Sequence, residues 1–175
     1  MYAFFEMMEA IQAFMETGGN VLTWIAALIF VMWILIFERI AFIKFGYKKY
    51  ESSVINTWEQ RSERKSWNAM QIREAMISRA SNKLNENLML LNALVALCPL
   101  LGLMGTVTGM IEVFDVMAIS GSGNARSMAS GVSKATIPTM AGMVGALSGV
   151  FASTWLSRSA KREAELLEDH LTTDH

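Results

Sequence analysis

Two uncharged stretches decide the fold of this chain. They are Leu88–Ile111, LMLLNALVALCPLLGLMGTVTGMI, and Ala135–Ser157, ATIPTMAGMVGALSGVFASTWLS. The hydrocarbon core of a bilayer is about 30 Å thick and is crossed by roughly 20 helical residues, and both stretches are longer than that. The sequence therefore predicts membrane helices at 88–114 and 135–157, joined by an outer turn at 115–134.

A third apolar stretch precedes them. Val21–Phe37 is built of large apolar residues and, together with Gly18 and Gly19, is long enough to cross the bilayer. This predicts a first membrane helix at 19–40. Because it has no stripe of small residues, we expect it to lie on the lipid-facing outside of the other two helices.

The composition agrees with a membrane domain. Of the 175 residues, 53% are hydrophobic and 18% are charged, which is more apolar than an average soluble domain. We therefore expect contact with membrane lipid. The net charge of -1 lacks the basic footprint of nucleic-acid-binding proteins, so no nucleic-acid partner is expected.

The segments outside the spans also have helical patterns. Residues 1–18 carry three glutamates opposite an apolar face of Ala3, Met7, Ala10 and Phe14, typical of an interfacial periplasmic helix, with a frayed acidic leader as the alternative. Residues 41–87 are too polar to span the bilayer and contain no proline, which predicts a cytoplasmic helical segment. Residues 158–175 predict a cytoplasmic helical tail, with a flexible tail as the alternative. The apolar stripe of this tail is Ala160, Ala164, Leu167 and Leu171.

The basic residues indicate the orientation. None lies before the first span, ten lie between Arg39 and Asn87, and three more follow the third span. Because basic loops stay in the cytoplasm, the N-terminus is predicted to be periplasmic and the C-terminus cytoplasmic. The predicted fold is all-α, with three transmembrane helices of which the second and third extend into the cytoplasm.

Residue patterns for enzymatic chemistry are not found. The sequence has no phosphate-binding loop, no Ser/His/Asp set and no metal-ligand spacing, and both histidines, His170 and His175, lie in the tail. We therefore predict a protein that is not an enzyme, with no catalytic residue, no metal and no cofactor.

Threonines and glycines supply the polar content of the second and third spans. A single threonine in a membrane helix usually bonds a carbonyl of its own helix, and glycines allow close packing. Here small residues form a face on each helix, so each face must meet a close neighbour. That neighbour could be the other face, a second copy, or a helix of another protein enclosed by a ring of copies. Hydroxyls can also line a water-bearing path if an ionisable group comes from elsewhere. The packing glycines are Gly102, Gly105, Gly109, Gly142, Gly145 and Gly149.

Two strings carry a family resemblance. Pro99–Gly109, PLLGLMGTVTG, and Ala129–Gly142, ASGVSKATIPTMAG, together resemble the signature of the MotA/TolQ/ExbB proton-channel family, and most closely its ExbB branch. The short chain resembles the ExbB proteins of secondary TonB systems in marine gamma-proteobacteria. The resemblance implies an oligomeric helical membrane channel, a homopentamer in the bacterial inner membrane that encloses helices of ExbD. Such a channel uses proton motive force to energise TonB for outer-membrane uptake of iron-siderophore or similar ligands.

The resemblance also implies site residues. Thr106 matches the pore-lining threonine of the second helix and Thr139 its partner in the third, and we expect Thr136 in the same proton pathway. Two alternatives stay open at this point: a sibling function, in which a TolQ-like subunit energises TolA for envelope integrity, and a different class, a membrane scaffold that conducts nothing. A MotA-like stator fits less well, because that branch usually has four spans.

One position departs from the family pattern. Many ExbB and TolQ proteins have a glutamate at the start of the third helix, where this chain has Lys134. A lysine there would repel cations, so the proton-binding acid is expected from the membrane aspartate of ExbD. Glu112 and Asp115 could neutralise Lys134 at the pore mouth. The alternative is that this lysine extends to the outer membrane surface.

Overall fold

The computed structural model describes residues 2–120 and 125–171, and every regular element in them is helical. The elements are α1 (Tyr2–Ala41), a π-helical turn (Phe42–Gly46), α2 (Tyr47–Glu59), α3 (Trp67–Asn85), α4 (Leu88–Ser120) and α5 (Ala125–His170). Three helical stretches are long and apolar enough to cross a membrane: Gly18–Glu59, Trp67–Ile119 and Met128–His170. The predicted all-α fold with three spans is confirmed. The number of copies in the assembly stays a prediction.

Gly19 interrupts α1 at the start of the first apolar stretch. Its backbone has φ 65° and ψ -164°, a conformation that glycine adopts without the steric cost of a Cβ. The residues before Gly19 therefore form a helix of their own within α1. The apolar face predicted for that helix lies outside the side chains that the structure describes; it consists of Ala3, Met7, Ala10 and Phe14.

The segment between the first and second spans is helical but interrupted. Residues 60–66 separate α2 from α3, and the Ser66 hydroxyl caps α3 by accepting the Ala69 N–H at 3.2 Å. A second break separates α3 from α4. There Asn87 has a φ of 63°, a left-handed conformation that asparagine tolerates better than most residues.

The chain forms two compact units. Unit 1 comprises Met1–Trp33 and Ala93–Val150, and unit 2 comprises Ile34–Asn92 and Phe151–His175. In unit 1, α1 contributes large buried side chains while α4 and α5 contribute mostly smaller ones. These core residues are Leu22, Ile25, Met32, Val95, Cys98, Val113, Ala135 and Ala146.

Unit 2 is built by the end of α1, the π-helical turn, α2, α3, the start of α4 and the end of α5. Its core consists of Trp58, Ala69, Ala80, Leu167 and Leu171. Arg73 of α3 holds the end of α5: its Nε donates to the Leu171 carbonyl at 2.7 Å and its Nη2 to the Glu168 carbonyl at 2.9 Å. These bonds satisfy carbonyls that a helix end leaves without an intrahelical partner. The apolar stripe and this cap explain why α5 continues to His170.

Candidate functional site

The two glycine faces meet within one chain. A Cβ at Gly102 would lie 2.9 Å from the Cα of Thr139, and one at Gly109 would lie 2.7 Å from the Cα of Ala135. From the other side, a Cβ at Gly142 would lie 2.5 Å from a backbone oxygen of α4. No side chain fits into these spaces, so the backbones of α4 and α5 touch along this line. The first of the neighbours that the sequence left open is therefore present in unit 1.

The other three glycines meet side chains. Gly105 faces a proline ring of α5. Gly145 of α5 faces α1, where a Cβ would meet the end of the flexible Ile29 side chain. Gly149 lies between both helices, because a Cβ there would lie 2.6 Å from Met32 Sδ of α1 and 2.6 Å from Val95 Cγ2 of α4. The small-residue face of α5 therefore contacts both α4 and α1.

Thr139 links α5 to α4. Its hydroxyl donates to the carbonyl oxygen of Gly102 at 2.8 Å, across the line where the two backbones touch. Hydrogen bonds between membrane helices of this kind contribute about 0.6 kcal/mol on average, up to roughly 2. The Thr139 hydroxyl therefore donates its proton to a contact between two helices of the same chain.

The remaining threonines bond their own helices. Thr106 donates to the Leu103 carbonyl at 2.7 Å, and Thr136 donates to the Ser133 carbonyl at 2.9 Å. Thr108 shares its proton between two carbonyls one turn earlier in α4, each at 3.1 Å. Thr106 is half-buried and Thr136 is exposed. Because a hydroxyl oxygen keeps acceptor positions after donating its proton, both remain available to water or a partner group.

Lys134 forms an ion pair with Glu112. The Lys134 Nζ lies 3.3 Å from Glu112 Oε2. Asp115 is exposed and makes no ion pair with another described residue, so Glu112 alone of the two expected acids approaches the lysine. The pair lies on the wall of a polar cavity of about 390 Å³ in unit 1, which Asn20, Thr108 and glycines of α1 and α4 also line. We call it the polar cavity.

Both uncharged stretches lack an ionisable residue that could bind a proton at depth. No Asp, Glu, Lys, Arg or His lies between Glu86 and Glu112, or between Lys134 and Arg158. Across residues 2–120 and 125–171, no group of three or more His, Cys, Asp or Glu side chains could hold a metal ion. Within these two spans the chain offers hydroxyls and backbone carbonyls, but no carboxylate.

Sequence reasoning missed the role of Arg39, which was counted only as a cytoplasmic charge. In unit 2 its side chain is buried, and its guanidinium lies 3.3 Å from a carboxylate oxygen of Glu38 and 3.7 Å from one of Glu86. It also donates to the Lys83 carbonyl at 3.4 Å and lies over the Phe42 ring. Arg39 therefore ties the end of α1 to the last turn of α3, beside the break before α4. The signal in the sequence is the charged pair Glu38-Arg39 that directly follows a long apolar run.

Comparison with known proteins gives one family and two relatives. A model of the MotA/TolQ/ExbB proton channel family matches residues 41–169. "Putative biopolymer transport protein ExbB-like 1" of Synechocystis is 49% identical over 61 residues, which are 33% of this chain and 24% of that protein. "Biopolymer transport protein exbB1" of Vibrio cholerae is 38% identical over 91 residues, which are 51% of this chain and 40% of that protein. Each match thus spans less than half of the relative's length. No solved structure gives a significant match.

Proposed function

The chain belongs to the MotA/TolQ/ExbB proton channel family, and we propose on this basis that it is the ExbB-type subunit of an inner-membrane energiser. Its three apolar helices and its family make it a multi-pass membrane protein. In this proposal it works with ExbD, uses proton motive force, and drives TonB for uptake of iron-siderophore or similar ligands. The asymmetry of basic residues supports a periplasmic N-terminus and a cytoplasmic C-terminus.

The observation that carries the proposal is the charge-free contact between α4 and α5. It lies inside the family match and holds threonine hydroxyls at membrane depth with no acid of its own. All three hydroxyls donate their protons to carbonyls, but Thr106 and Thr136 bond their own helices whereas Thr139 bonds Gly102 of the other helix. We assign Thr106 and Thr136 to the wall of the proton path, and Thr139 to holding that wall together. The proton-binding carboxylate then comes from ExbD.

The charges at the outer end of unit 1 agree with this assignment. An unpaired lysine at a pore mouth would oppose the entry of protons, because like charges repel. Since Glu112 lies within ion-pair distance, the local charge around Lys134 is close to zero. The departure from the family's usual glutamate therefore leaves cation entry possible.

We further propose a homo-oligomer, which we take to be a pentamer, and the outward faces of α4 and α5 are compatible with this. Large apolar side chains on these faces are more than half exposed in the single chain, and lipid, further copies or ExbD must cover them. They are Leu100, Leu103, Val107, Phe114, Met140, Val144, Leu147 and Phe151.

The test replaces the native copy in cells and measures TonB-dependent iron uptake, with co-purification of ExbD as the check on assembly. Thr106→Val and Thr136→Val keep the side-chain shape and remove the hydroxyl. The control is Thr154→Val, an exposed threonine of α5 outside the site. We expect both site variants to lower uptake at least several-fold while ExbD still co-purifies, and the control to behave as wild type. Normal uptake in both site variants would remove these hydroxyls from the path.

The two alternatives predict different results in the same cells. A TolQ-like subunit would restore detergent resistance to cells that lack TolQ and would leave iron uptake unchanged. A scaffold would assemble with its partners, yet liposomes containing the assembly would show no proton flux above protein-free liposomes.

A further inference from the structure

An apolar groove lies in unit 1 between α1 and α4. It has a volume of about 420 Å³ and is lined by Trp24, Ala27, Leu28, Val31, Leu101 and Met104. Several of these side chains are about half exposed or more, so the groove is open along the surfaces of α1 and α4. We call it the apolar groove.

The polar cavity and the apolar groove lie along the same helix faces. On α4 the lining positions are 101, 104, 105, 108, 109 and 112, and on α1 they are 18–21, 24, 27, 28 and 31. Residues three or four apart lie on one face of a helix. The two spaces therefore follow one another along α1 and α4, and we call them together the channel, polar at the Glu112 end and apolar at the Leu101 end.

The length of this channel matches one leaflet of a bilayer. Glu112 and Leu101 are separated by eleven helical positions, which is about 16 Å at 1.5 Å per residue. Half of a hydrocarbon core of about 30 Å is roughly 15 Å. An acyl chain that starts at the level of Glu112 would thus end near the bilayer centre at Leu101.

The charges of the polar cavity indicate which ligand charges would fit there. Lys134 and Glu112 contribute one positive and one negative charge, and both side chains keep solvent exposure, 42% and 64%. The ammonium has three donors and the carboxylate has about four acceptor positions, so their mutual contact leaves both able to bind a further group. A molecule with a phosphate and an ammonium would pair with both. An anionic headgroup would place an uncompensated negative charge beside Glu112.

We propose that this channel binds one phospholipid with a zwitterionic headgroup, of the phosphatidylethanolamine type. The phosphate lies at Lys134 and the ammonium at Glu112, while an acyl chain fills the apolar groove. The glycines that line the polar cavity have no side chains to fill it, which leaves room for the headgroup. This inference requires membrane insertion and does not depend on proton conduction.

The test uses the purified full-length protein, stripped of lipid in detergent and titrated with phosphatidylethanolamine or phosphatidylglycerol. Bound lipid is counted by native mass spectrometry. Ala27→Phe fills the apolar groove, and its matched control is Ala26→Phe, an exposed neighbour on α1 that does not line the groove. We expect one tightly bound phosphatidylethanolamine in wild type and Ala26→Phe, and its loss in Ala27→Phe.

A headgroup variant separates the two parts of the site. Lys134→Gln removes the charged partner of the phosphate and should weaken phosphatidylethanolamine binding at least about tenfold, because hydrogen bonds to charged groups are stronger than those between neutral groups. Equal lipid counts in Ala27→Phe and Ala26→Phe would overturn the proposal, as would tighter binding of phosphatidylglycerol. A change of oligomer mass in Ala27→Phe alone would also overturn it, since a protein neighbour would then occupy the groove.

Discussion

Gly142→Ala should loosen the contact between α4 and α5, whereas Gly145→Ala should not. Both changes add one methyl group to the same face of α5, three residues apart. At position 142 the new Cβ would lie 2.5 Å from the Cys98 carbonyl oxygen and 3.3 Å from the Gly102 Cα, both backbone atoms. At position 145 it would meet the end of the Ile29 side chain, which can change rotamer.

The magnitude follows from the distances. Backbone atoms cannot rotate away, so α4 and α5 must move about 1 Å apart to reach normal contact. Such overpacking costs about 1–3 kcal/mol. The same movement lengthens the bond from the Thr139 hydroxyl to Gly102, now 2.8 Å, beyond hydrogen-bond reach, at a cost of about 1 kcal/mol. Replacing glycine by alanine in a helix stabilises the helix by about 1 kcal/mol, because alanine has the higher helix propensity. The net loss for Gly142→Ala is therefore about 1–3 kcal/mol.

The assay is thermal unfolding of both variants in the same detergent. For a chain of this size, 1 kcal/mol corresponds to about 2–4 °C, so Gly142→Ala should lower the Tm by about 2–12 °C. Gly145→Ala should stay within about 1 kcal/mol of wild type, because the gain in helix propensity offsets the rotamer change. Equal Tm values for the two variants would show that α4 and α5 do not touch through their backbones at Gly142, and would refute the packing described above.

Three further predictions concern single contacts. Thr139→Val should lower stability by about 0.5–2 kcal/mol in the same unfolding assay, while Thr106→Val should change it by less than about 0.5, because only the Thr139 hydroxyl bonds another helix. A double-mutant cycle of Lys134→Gln and Glu112→Gln should give a coupling energy of about 0.2–1 kcal/mol, as for other exposed ion pairs. Burial, with Glu51 and Glu163 nearby, raises the pKa of Tyr47 in unit 2 to about 12. The folded-state pKa lies above the ordinary value of 10. The neutral phenol of Tyr47 should therefore contribute its full share to the free energy of unfolding below pH 10, and that contribution should be lost as the pH rises towards 12. Tyr47→Phe should remove this alkaline loss.

Each of these three predictions would be contradicted by a specific result. Equal stability of the two valine variants would deny the bond between Thr139 and Gly102. Additive effects of the two glutamine variants would show that Lys134 and Glu112 do not interact in solution. For Tyr47, spectrophotometric titration of the phenol and unfolding between pH 9 and 12 should change together. An alkaline loss of the same size in Tyr47→Phe would assign it to other groups.

The spans could be predicted from the sequence because their signal is local. About 20 uncharged residues in a row define a membrane helix without reference to any other part of the chain. The faces of the helices could also be predicted, since glycines three and four apart lie on one side. The spacing of the glycines predicts which residues share a helix face, but not which helix packs against that face. Gly142 faces α4 and Gly145 faces α1, and nothing in their spacing distinguishes the two.

The breaks around α3 were harder to predict for a related reason. No proline or glycine lies at either break. Instead, Ser66 caps the start of α3, and Asn87, after the end of α3, adopts a left-handed conformation. The burial of Arg39 depends on Lys83 and Glu86, more than forty positions away in the sequence. Contacts over such separations arise only once the helices pack. Charge alone therefore predicted the side of the membrane for Arg39, but not its contacts.

The ion pair with Glu112 changes the effect that Lys134 is expected to have on cation passage. From the sequence alone, a lysine in place of an acid argues against cation passage at the outer end of the third span. With Glu112 3.3 Å away, the same lysine is half of a neutral pair, and the cavity beside it carries both signs of charge. Removing Glu112 should therefore impair function more than removing Lys134, because Glu112→Gln leaves an unpaired positive charge whereas Lys134→Gln leaves a negative one that attracts protons. Iron uptake by the two variants tests this order, and the reverse order would mean that the ion pair does not lie beside the path of the proton.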